Sequence, residues 1–424
     1  MSELTRRGLL ARAGLAAGAL AVGRPELAEA VDAAPDLRDW GSVRSQFELD
    51  AGRIHLTSFL LATHPRPVRD AITAHRQRLD ANPVEYLHGP GDGLSAAARE
   101  AAGRFLGAPA SEVALTESTT MGLGLLYTRL ALRPEDEVLT TEHDFYATHE
   151  SLRLSGARVR RIALYADSRR VSEDEIVNRL LRAVTGRTRV VALTWVHSST
   201  GVRLPVRTIA QALPERVLVC IDGVHGFGAN AATVPDLACD AFVSGCHKWL
   251  YGPRGTGVLW ANERVRELMR PTIPSFDGSS YGAWVAGGAR SGIPDGLTLT
   301  PGGFHSFEHR WALPEAFSVH QGIGRERVEA RIRGLASRLK ARLAEVPGVR
   351  LRTPQSPGLS AGLVCFEVAG RNPAEVVAHL ASRHIVASVT PYALRYVRLG
   401  PGIVNTPEHV DAAARAITSL ARRP

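Results

Sequence analysis

The chain has 424 residues, 45% of them hydrophobic and 22% charged, a composition that can bury a large core and form two domains. The net charge of +9 comes from scattered arginines and not from a basic tract with interleaved aromatic residues, so we predict no nucleic-acid partner. The four cysteines form no CxxC pair and have no histidines at metal-ligand spacing, so we predict neither a metal site nor a disulfide framework.

The first 30 residues have the composition of an export signal. Arg6 and Arg7 precede a short apolar stretch, and residues 28–30 offer a small-x-small cleavage pattern. Paired arginines are typical of the twin-arginine route, which carries folded proteins; the alternative is a short helix retained in a cytoplasmic protein. The sequence therefore leaves two locations open, cytoplasmic or exported. No run in the mature chain reaches the roughly 18 apolar residues of a membrane span.

Strand-like and helix-like segments alternate from about residue 50 to residue 300. The predicted strands are 113–116, 137–141, 159–164, 189–195, 217–221, 241–244 and 257–260. The predicted helices include 119–131 and 146–155. Such alternation is typical of a mainly parallel sheet between helices, whose ligands lie at the carboxyl ends of the strands.

The most informative side chains follow two of these strands. Asp222 closes the apolar strand 217–221, and the pair His247-Lys248 follows the next strand. A lysine amine can form a Schiff base with the aldehyde of pyridoxal 5′-phosphate (PLP), and a buried carboxylate can keep the pyridine nitrogen protonated. A lysine between buried strands is otherwise uncommon, so this combination predicts a PLP site.

After residue 301 the pattern changes to a smaller α+β domain. Its predicted elements are a long helix at 314–345, strands at 362–368 and 396–399, and helices at 373–384 and 407–422. The chain as a whole is thus predicted to be α/β. Its predicted parts are a signal-like segment at 1–30, a segment at 31–55 that packs on the small domain, a large PLP-binding domain at 56–300 and a small C-terminal domain at 301–424.

Several motifs resemble the class V aminotransferase family of fold-type I PLP enzymes, which includes cysteine desulfurases and isopenicillin N epimerase-like proteins. The similarity covers roughly residues 50–420, and the epimerase-like branch fits best. The matching stretches are Glu117–Gly122, Thr140–Asp144, Val196–Gly201, Asp222–His225, His247–Leu250 and Arg398–Thr406. The resemblance implies a fold-type I PLP-dependent transferase fold and a homodimer with the cofactor near the subunit contact.

The resemblance also implies roles for single residues. Lys248 would carry the Schiff base, Asp222 would pair with the pyridine nitrogen, and His225 would face the ring or its phenolic oxygen; these three are the predicted catalytic residues. Arg398 would bind the substrate α-carboxylate, for which a planar guanidinium is well suited. The predicted cofactor-binding residues are Lys248, Asp222, His225, His247, His143, Ser118, Thr119, Thr120 and Ser198.

The cofactor-binding residues would contact three different parts of PLP. Residues 118–120 stand at a strand-to-helix turn, where free backbone N–H groups favour a phosphate, and His247 would donate to the same group. His143 would stack on the pyridine ring. Ser198 lies near the place where the family contacts the phenolic oxygen.

The reaction type depends on a difference from the desulfurases. They carry a nucleophilic cysteine shortly before the carboxylate-binding arginine, whereas residues 385–392 here contain none, so transfer of sulfur to a protein persulfide is not expected. We predict a C–S lyase that acts by β-elimination, through an external aldimine, on an amino acid or its S-conjugate in specialised metabolism such as antibiotic biosynthesis. The alternatives are an amino-acid epimerase, an aminotransferase or PLP-dependent oxidative decarboxylase, and a non-catalytic exported binding protein.

Overall fold

The computed structural model describes residues 35–128 and 130–422, so the signal-like segment at 1–30 lies outside the described residues. The strands are β1 (Ile54–His55), β2 (Val113–Thr116), β3 (Glu137–Thr141), β4 (Arg158–Ile162), β5 (Thr188–Thr194), β6 (Leu218–Asp222), β7 (Ala241–Gly245), β8 (Gly257–Ala261), β9 (Val349–Leu351), β10 (Val364–Val368), β11 (Ile385–Val386), β12 (Ser388–Val389) and β13 (Val397–Leu399). The helices are α1 (Trp40–Ser45), α2 (Arg66–Ala81), α3 (Pro83–His88), α4 (Gly91–Leu106), α5 (Thr119–Tyr127), α6 (Tyr146–Leu154), α7 (Glu173–Ala183), α8 (Val206–Ala212), α9 (Val234–Leu237), α10 (Glu263–Arg266), α11 (Gly278–Val285), α12 (Gly296–Leu299), α13 (Phe307–Trp311), α14 (Leu313–Ile323), α15 (Arg325–Ala344), α16 (Pro373–Ala381) and α17 (Pro407–Ala421).

A seven-stranded sheet forms the larger part of the fold, in the order β2-β8-β7-β6-β5-β3-β4. Neighbouring strands among β7, β6, β5, β3 and β4 pair in parallel. Strand β8 runs antiparallel to both of its neighbours, β2 and β7. The prediction of a mainly parallel sheet is therefore confirmed. Strands β6, β7 and β8 are buried along their whole length, as a sheet covered on both faces requires.

Two apolar clusters cover the two faces of this sheet. Successive side chains of β6 alternate between them, because strand residues point to opposite faces in turn. Val219 and Ile221 belong to one cluster, and Leu218 and Cys220 belong to the other. Both faces of the central strands are thus buried, and their carboxyl ends are left as the edge where polar side chains collect.

A second sheet is antiparallel, with the order β12-β13-β10-β9. Side chains of α15, α16 and α17 pack on it in a third apolar cluster that also contains Leu56. Strand β1 pairs in parallel with β11, which ties the end of the predicted 31–55 segment to this region. These contacts agree with a smaller C-terminal unit, while the division into four parts stays a prediction.

Two predicted helices differ from the structure. The helix predicted at 314–345 is broken into α14 and α15 at Gly324, whose φ of 95° lies in a region that glycine adopts readily. The helix predicted at 119–131 ends at Tyr127, because the next residues bond elsewhere: Leu130 bridges to Met269, and the Ala131 N–H donates to the Leu268 carbonyl. The second difference comes from tertiary contacts that the local pattern does not contain, and the first from the backbone conformation of a glycine.

None of the helices within residues 35–128 and 130–422 combines the length and the hydropathy of a membrane span. In the same residues no group of three or more His, Cys, Asp or Glu side chains could hold a metal ion. All four cysteines are free and buried.

Candidate active site

The candidate site begins where β6 and β7 end. Asp222 is the last residue of β6 and is only 2% exposed; its carboxylate accepts hydrogen bonds from the Val224 N–H (3.0 Å) and from Thr148 Oγ1 on α6 (3.4 Å). Lys248 follows the end of β7 and interacts electrostatically with Asp222. Burial raises the pKa of Asp222 and lowers the pKa of Lys248, and the opposite charge of each partner offsets part of that shift.

Lysine is rare in this chain, which makes the position of Lys248 more informative. The sequence contains two lysines, Lys248 and Lys340. Lys340 lies under the small sheet, where its amine donates to the carbonyls of Pro354 and Gln355 and to Ser360 Oγ. That amine is fully engaged, so Lys248 is the amine available for covalent chemistry.

His225 lies in the turn after Asp222 and is buried. Burial, followed by the charges of Lys248 and Arg398, holds the pKa of His225 well below its usual value, so the ring is neutral. Its Nδ1 is buried and has no hydrogen-bond partner among the described residues. Because buried polar atoms are nearly always satisfied, this nitrogen points to a ligand atom that completes the site.

Ser118 and Thr119 stand at the start of α5, and the Thr119 side chain is hydrogen-bonded to the loop before His247. Ser118 Oγ caps α5 by accepting from the Met121 N–H (3.1 Å), and Thr119 Oγ1 accepts from the Gly245 N–H (2.7 Å). A Cβ atom on Gly245 would lie 2.9 Å from the His247 ring and 3.2 Å from Thr119 Oγ1, so glycine is what lets these groups approach. We call these two loops, with Ser118, Thr119 and His247, the phosphate cup.

The members of the cup differ in exposure and carry no charge. Thr119 is buried and Ser118 half-buried, whereas Thr120 is exposed. Burial lowers the pKa of His247 to about 4, so its ring is neutral near pH 7. Hydroxyl groups and free N–H groups at the start of a nine-residue helix fit the phosphate of the predicted PLP. Together with Lys248, Asp222 and the unpaired nitrogen of His225, the residues present fit the cofactor.

His143 is half-buried and stacks on Tyr165, with ring centroids 4.0 Å apart and planes 7° apart. Burial lowers the pKa of His143 to about 3, so its ring is neutral and suited to stacking. The Tyr165 hydroxyl is hydrogen-bonded to His197 Nδ1 (3.0 Å) and to Thr200 Oγ1 (2.8 Å), which fixes the ring behind His143.

Arg398 extends from β13 into the site and is 3% exposed. Its Nε donates to Ser388 Oγ (3.1 Å), its Nη1 donates to the Ser198 carbonyl (3.3 Å), and the guanidinium lies 4.6 Å from the centre of the Phe59 ring. No carboxylate of the described residues pairs with it. A buried guanidinium without a counter-ion can bind an anionic group of a ligand.

Tyr392 is a site residue that sequence reasoning missed. Its hydroxyl is 2.6 Å from Ser198 Oγ, and its ring borders a cavity of about 560 Å³ that His143, Ser199 and Thr200 also line. The sequence of the 385–392 segment predicts only the lack of a nucleophilic cysteine. An aromatic residue in a loop is a weak signal, and its contact with Ser198 depends on residues far apart in the chain.

Cys365, in contrast, is removed from any reactive position. It lies in β10 directly opposite Arg398 of β13, fully buried. Burial raises the pKa of its thiol to about 12. A buried, protonated thiol is a poor nucleophile.

Comparisons with known proteins concern the family and the fold. The family model described as aminotransferase class-V matches residues 61–411. Isopenicillin N epimerase of Streptomyces clavuligerus is 28% identical over 395 residues, which cover 90% of this chain and 98% of that protein. A probable cysteine desulfurase of Vibrio cholerae is 26% identical, with 70% of this chain and 74% of that protein covered.

The fold also matches a solved structure. A cystine C–S lyase, C-DES, in complex with its product cysteine persulfide has a TM-score of 0.76 to this chain at 20% identity. The match covers 87% of this chain and 98% of that one. At this identity the likeness concerns the fold.

Proposed function

This chain belongs to the class-V aminotransferase family, whose members are PLP-dependent enzymes of fold type I, and we propose that its reaction is β-elimination that cleaves a carbon–sulfur bond in an amino-acid substrate. The observation that carries the proposal is the buried Asp222–Lys248 pair with an unpaired Arg398 beside it and no accessible cysteine. The first three groups suit chemistry at the Cα of an amino acid. Because all four cysteines are buried, no thiol of the protein can accept the sulfur, which would therefore leave as part of a small molecule.

The residues that would hold the cofactor are Lys248 at its aldehyde, Asp222 at its ring nitrogen, and the phosphate cup at its phosphate. When bound, PLP supplies an electron sink that weakens the bonds at the substrate Cα. Thr148 and the Val224 N–H orient the Asp222 carboxylate. Because burial penalises the charge on this carboxylate, a positive partner at its position is strongly favoured.

The substrate would be bound by its α-carboxylate. Arg398 is held by Ser388, the Ser198 carbonyl and the Phe59 ring, so its guanidinium is pre-oriented for a bidentate contact. Lys248 is the base that would take the Cα proton, since burial lowers its pKa and increases the neutral fraction that can accept a proton. Tyr392 borders the adjoining cavity, which has room for a substrate side chain longer than that of cysteine.

The fate of the sulfur distinguishes a lyase from a desulfurase. Cys365 faces Arg398 from inside the small sheet, and its thiol is buried and protonated. This supports release of a free thiol, or of a thiol carried by an S-conjugate. The fold of the cystine C–S lyase C-DES supports the same branch by analogy, since it shows that this architecture accommodates such a reaction.

Epimerisation is the second candidate, because isopenicillin N epimerase aligns with this chain over 98% of its length. It needs a group that returns a proton to Cα from the face opposite Lys248.

One experiment separates the candidates: the purified protein is incubated in D₂O with a panel of amino acids and S-conjugates, and the products are scored. A keto acid with a released thiol supports elimination, inversion with deuterium at Cα supports epimerisation, and peroxide supports oxidative decarboxylation. Protein that takes up no PLP contradicts all three.

We also propose that the protein is a homodimer in which a second copy covers residues 273–304. Helix α11 in this segment has no buried residue. The apolar side chains with large exposed fractions here are Ile273, Phe276, Tyr281, Trp284, Val285, Ile293, Leu297 and Phe304. Exposed apolar side chains concentrated in one segment are typical of a protein–protein contact, and the family resemblance implies a second copy as the partner.

A further inference from the structure

Arg310, in α13, is a buried arginine that forms no ion pair in the described part of the chain, although Glu117 acts on its charge. It is 8% exposed, and within residues 35–128 and 130–422 its guanidinium makes no hydrogen bond and no ion pair. Burial lowers its pKa to about 10, and the acidic group that acts against this shift is Glu117. Arg325 shows the usual solution for such a residue, since it donates to the carbonyls of Phe105 and Ala232 and lies over the Phe105 ring.

Helix α13 adjoins one loop of the phosphate cup and the loop that follows Lys248. On one side Arg310 interacts with Glu117, the residue before Ser118. On the other side its neighbour His309 is hydrogen-bonded through Nδ1 to the carbonyl of Arg254 (2.7 Å), in the loop that follows Lys248. Arg310 therefore lies beside the cup, although almost 200 residues of chain separate it from Ser118.

The cup itself lacks a positive charge. Its hydroxyls and N–H groups are neutral donors, and the His247 ring is neutral because burial lowers its pKa to about 4. A phosphate monoester carries a charge of about −1.5 to −2 at pH 7. Placing that charge in a partly buried site is unfavourable unless a cation pairs with it. The other unpaired buried guanidinium of the site, Arg398, extends from β13 and contacts Ser198.

We infer that the guanidinium of Arg310 binds the cofactor's phosphate at the cup. The inference rests on the proposed PLP dependence and adds a charged ligand that the family resemblance did not supply. Arg310 is a buried cation that forms no ion pair with any described residue, even with nearby Glu117, and the adjoining cup offers a phosphate only neutral donors. A phosphate in the cup would supply the missing ion-pair partner, and Arg310 would supply the missing positive charge. In the free protein Glu117 offsets only part of the effect of burial on Arg310, and a bound phosphate would add a direct ion pair.

The test compares two ligands that differ only in the phosphate. Cofactor-free protein is titrated with PLP and with pyridoxal, and binding is followed by the visible absorbance. Arg310→Met should weaken PLP by about 10- to 100-fold and leave the affinity for pyridoxal unchanged. Arg310→Lys should recover part of the loss, since it keeps the charge without the planar fork. Arg254→Met, at an exposed arginine in the adjoining loop, is the matched control and should bind both ligands as the wild type does.

A second readout follows the phosphate itself. In phosphorus NMR of the PLP-loaded protein, the cation should keep the bound phosphate dianionic to lower pH than in Arg310→Met, because a nearby positive charge lowers the phosphate pKa. Equal PLP affinity in wild type and Arg310→Met, or equal losses for PLP and pyridoxal, would overturn the inference. If Arg310→Met does not fold, Arg310→Lys carries the same comparison, and an equal effect on both ligands again refutes it. Failure of the wild type to bind PLP would instead refute the proposed function.

Discussion

The carboxyl edge of the large sheet and the segment 273–304 distribute polar and apolar side chains in opposite ways. At the sheet edge charged groups are buried, with Asp222 and Arg398 exposed by 2% and 3%. In the segment large apolar groups face solvent, with Phe276 and Trp284 exposed by 73% and 68%. Both arrangements are unfavourable for an isolated chain, because buried charges lose hydration and exposed aromatic rings remain in water.

The difference indicates what each region lacks. Buried charges without counter-ions are stabilised by a ligand that carries the opposite charges, which suits a cofactor and an amino acid. Exposed aromatic rings are stabilised by another apolar surface, which suits a second copy of the chain. The two regions are continuous in sequence, since residue 304 is followed almost directly by α13, which carries Arg310 beside the phosphate cup.

Lys248→Ala should have the largest effect, because it removes the amine that we propose holds the cofactor and takes the Cα proton. We expect exchange of the substrate Cα–H to fall by about 10⁴-fold. Borohydride treatment of the wild-type holoprotein should add the mass of reduced PLP to the peptide that contains Lys248. Lys340 is the internal control, since the only other lysine of the chain is already bonded to three oxygens. Label on Lys340 would contradict the assignment.

Asp222→Asn should retain PLP but slow Cα–H exchange by about 10²- to 10³-fold, because the neutral amide no longer favours a protonated ring nitrogen. Exchange of deuterium from D₂O into the substrate measures this directly. Asp411→Asn, which alters a surface pair with Arg338, serves as the control and should exchange normally. Unchanged exchange in Asp222→Asn would remove the residue from this role.

The same variant tests the electrostatics of the pair through pH. The Asp222 charge raises the pKa of Lys248, while burial and Arg398 lower it below the ordinary value of 10.5. Capture of PLP requires the neutral amine, so its rate should rise as the pH passes the lowered pKa. Removal of the carboxylate should move this midpoint to lower pH, and Arg398→Met should move it to higher pH. Stopped-flow absorbance over a pH series gives both midpoints, and a shift in the opposite direction would contradict the coupling.

The exposed segment is tested by Phe276→Ser combined with Trp284→Glu. If a second copy covers both rings, the dimerisation constant should fall by about 10²-fold or more, since each buried aromatic side chain contributes roughly 1.5–3 kcal/mol. Sedimentation or light scattering over a dilution series measures the change. Leu154→Ser, at an exposed leucine outside this segment, is the control. A fully active wild-type monomer would refute the homodimer.

Arg398→Lys should raise the KM of an amino-acid substrate by about 30-fold, or roughly 2 kcal/mol, because lysine keeps the charge but loses the bidentate contact. The kcat should change little if the arginine acts in binding alone. An amine that lacks the α-carboxylate is the matched substrate control and should react equally with both proteins. A similar loss for that amine would show that Arg398 serves the fold and not the carboxylate.

Cys365→Ala should have the smallest effect on turnover, because the thiol is buried behind Arg398 and protonated. Mass spectrometry after exposure to substrate should find no persulfide on this residue in the wild type. A persulfide on Cys365 that disappears together with activity in the variant would restore the desulfurase interpretation.

Much of the fold was predictable because its signals are local. The strands β5 to β8 are apolar runs of a length typical of buried parallel strands, and each was found within a residue or two of its predicted bounds. The position of Asp222 and Lys248 at one edge of the sheet was predictable for the same reason, since they stand at the carboxyl ends of neighbouring strands. The break at Gly324 was not, because a glycine inside a helical pattern is often tolerated.

The sequence by itself determined the sheet and its polar edge, and it predicted Lys248 as the lysine that binds the cofactor. It did so because burial of a strand and the residue that ends it depend on side chains that are near in the chain. The contact of Tyr392 with Ser198 and the position of Arg310 beside the phosphate cup were decided only by the tertiary structure. Each joins residues roughly 200 positions apart, and no local pattern specifies such a distance in space. A buried charged group without an ion pair can be recognised only when the contacts of all its neighbours in the folded structure are known.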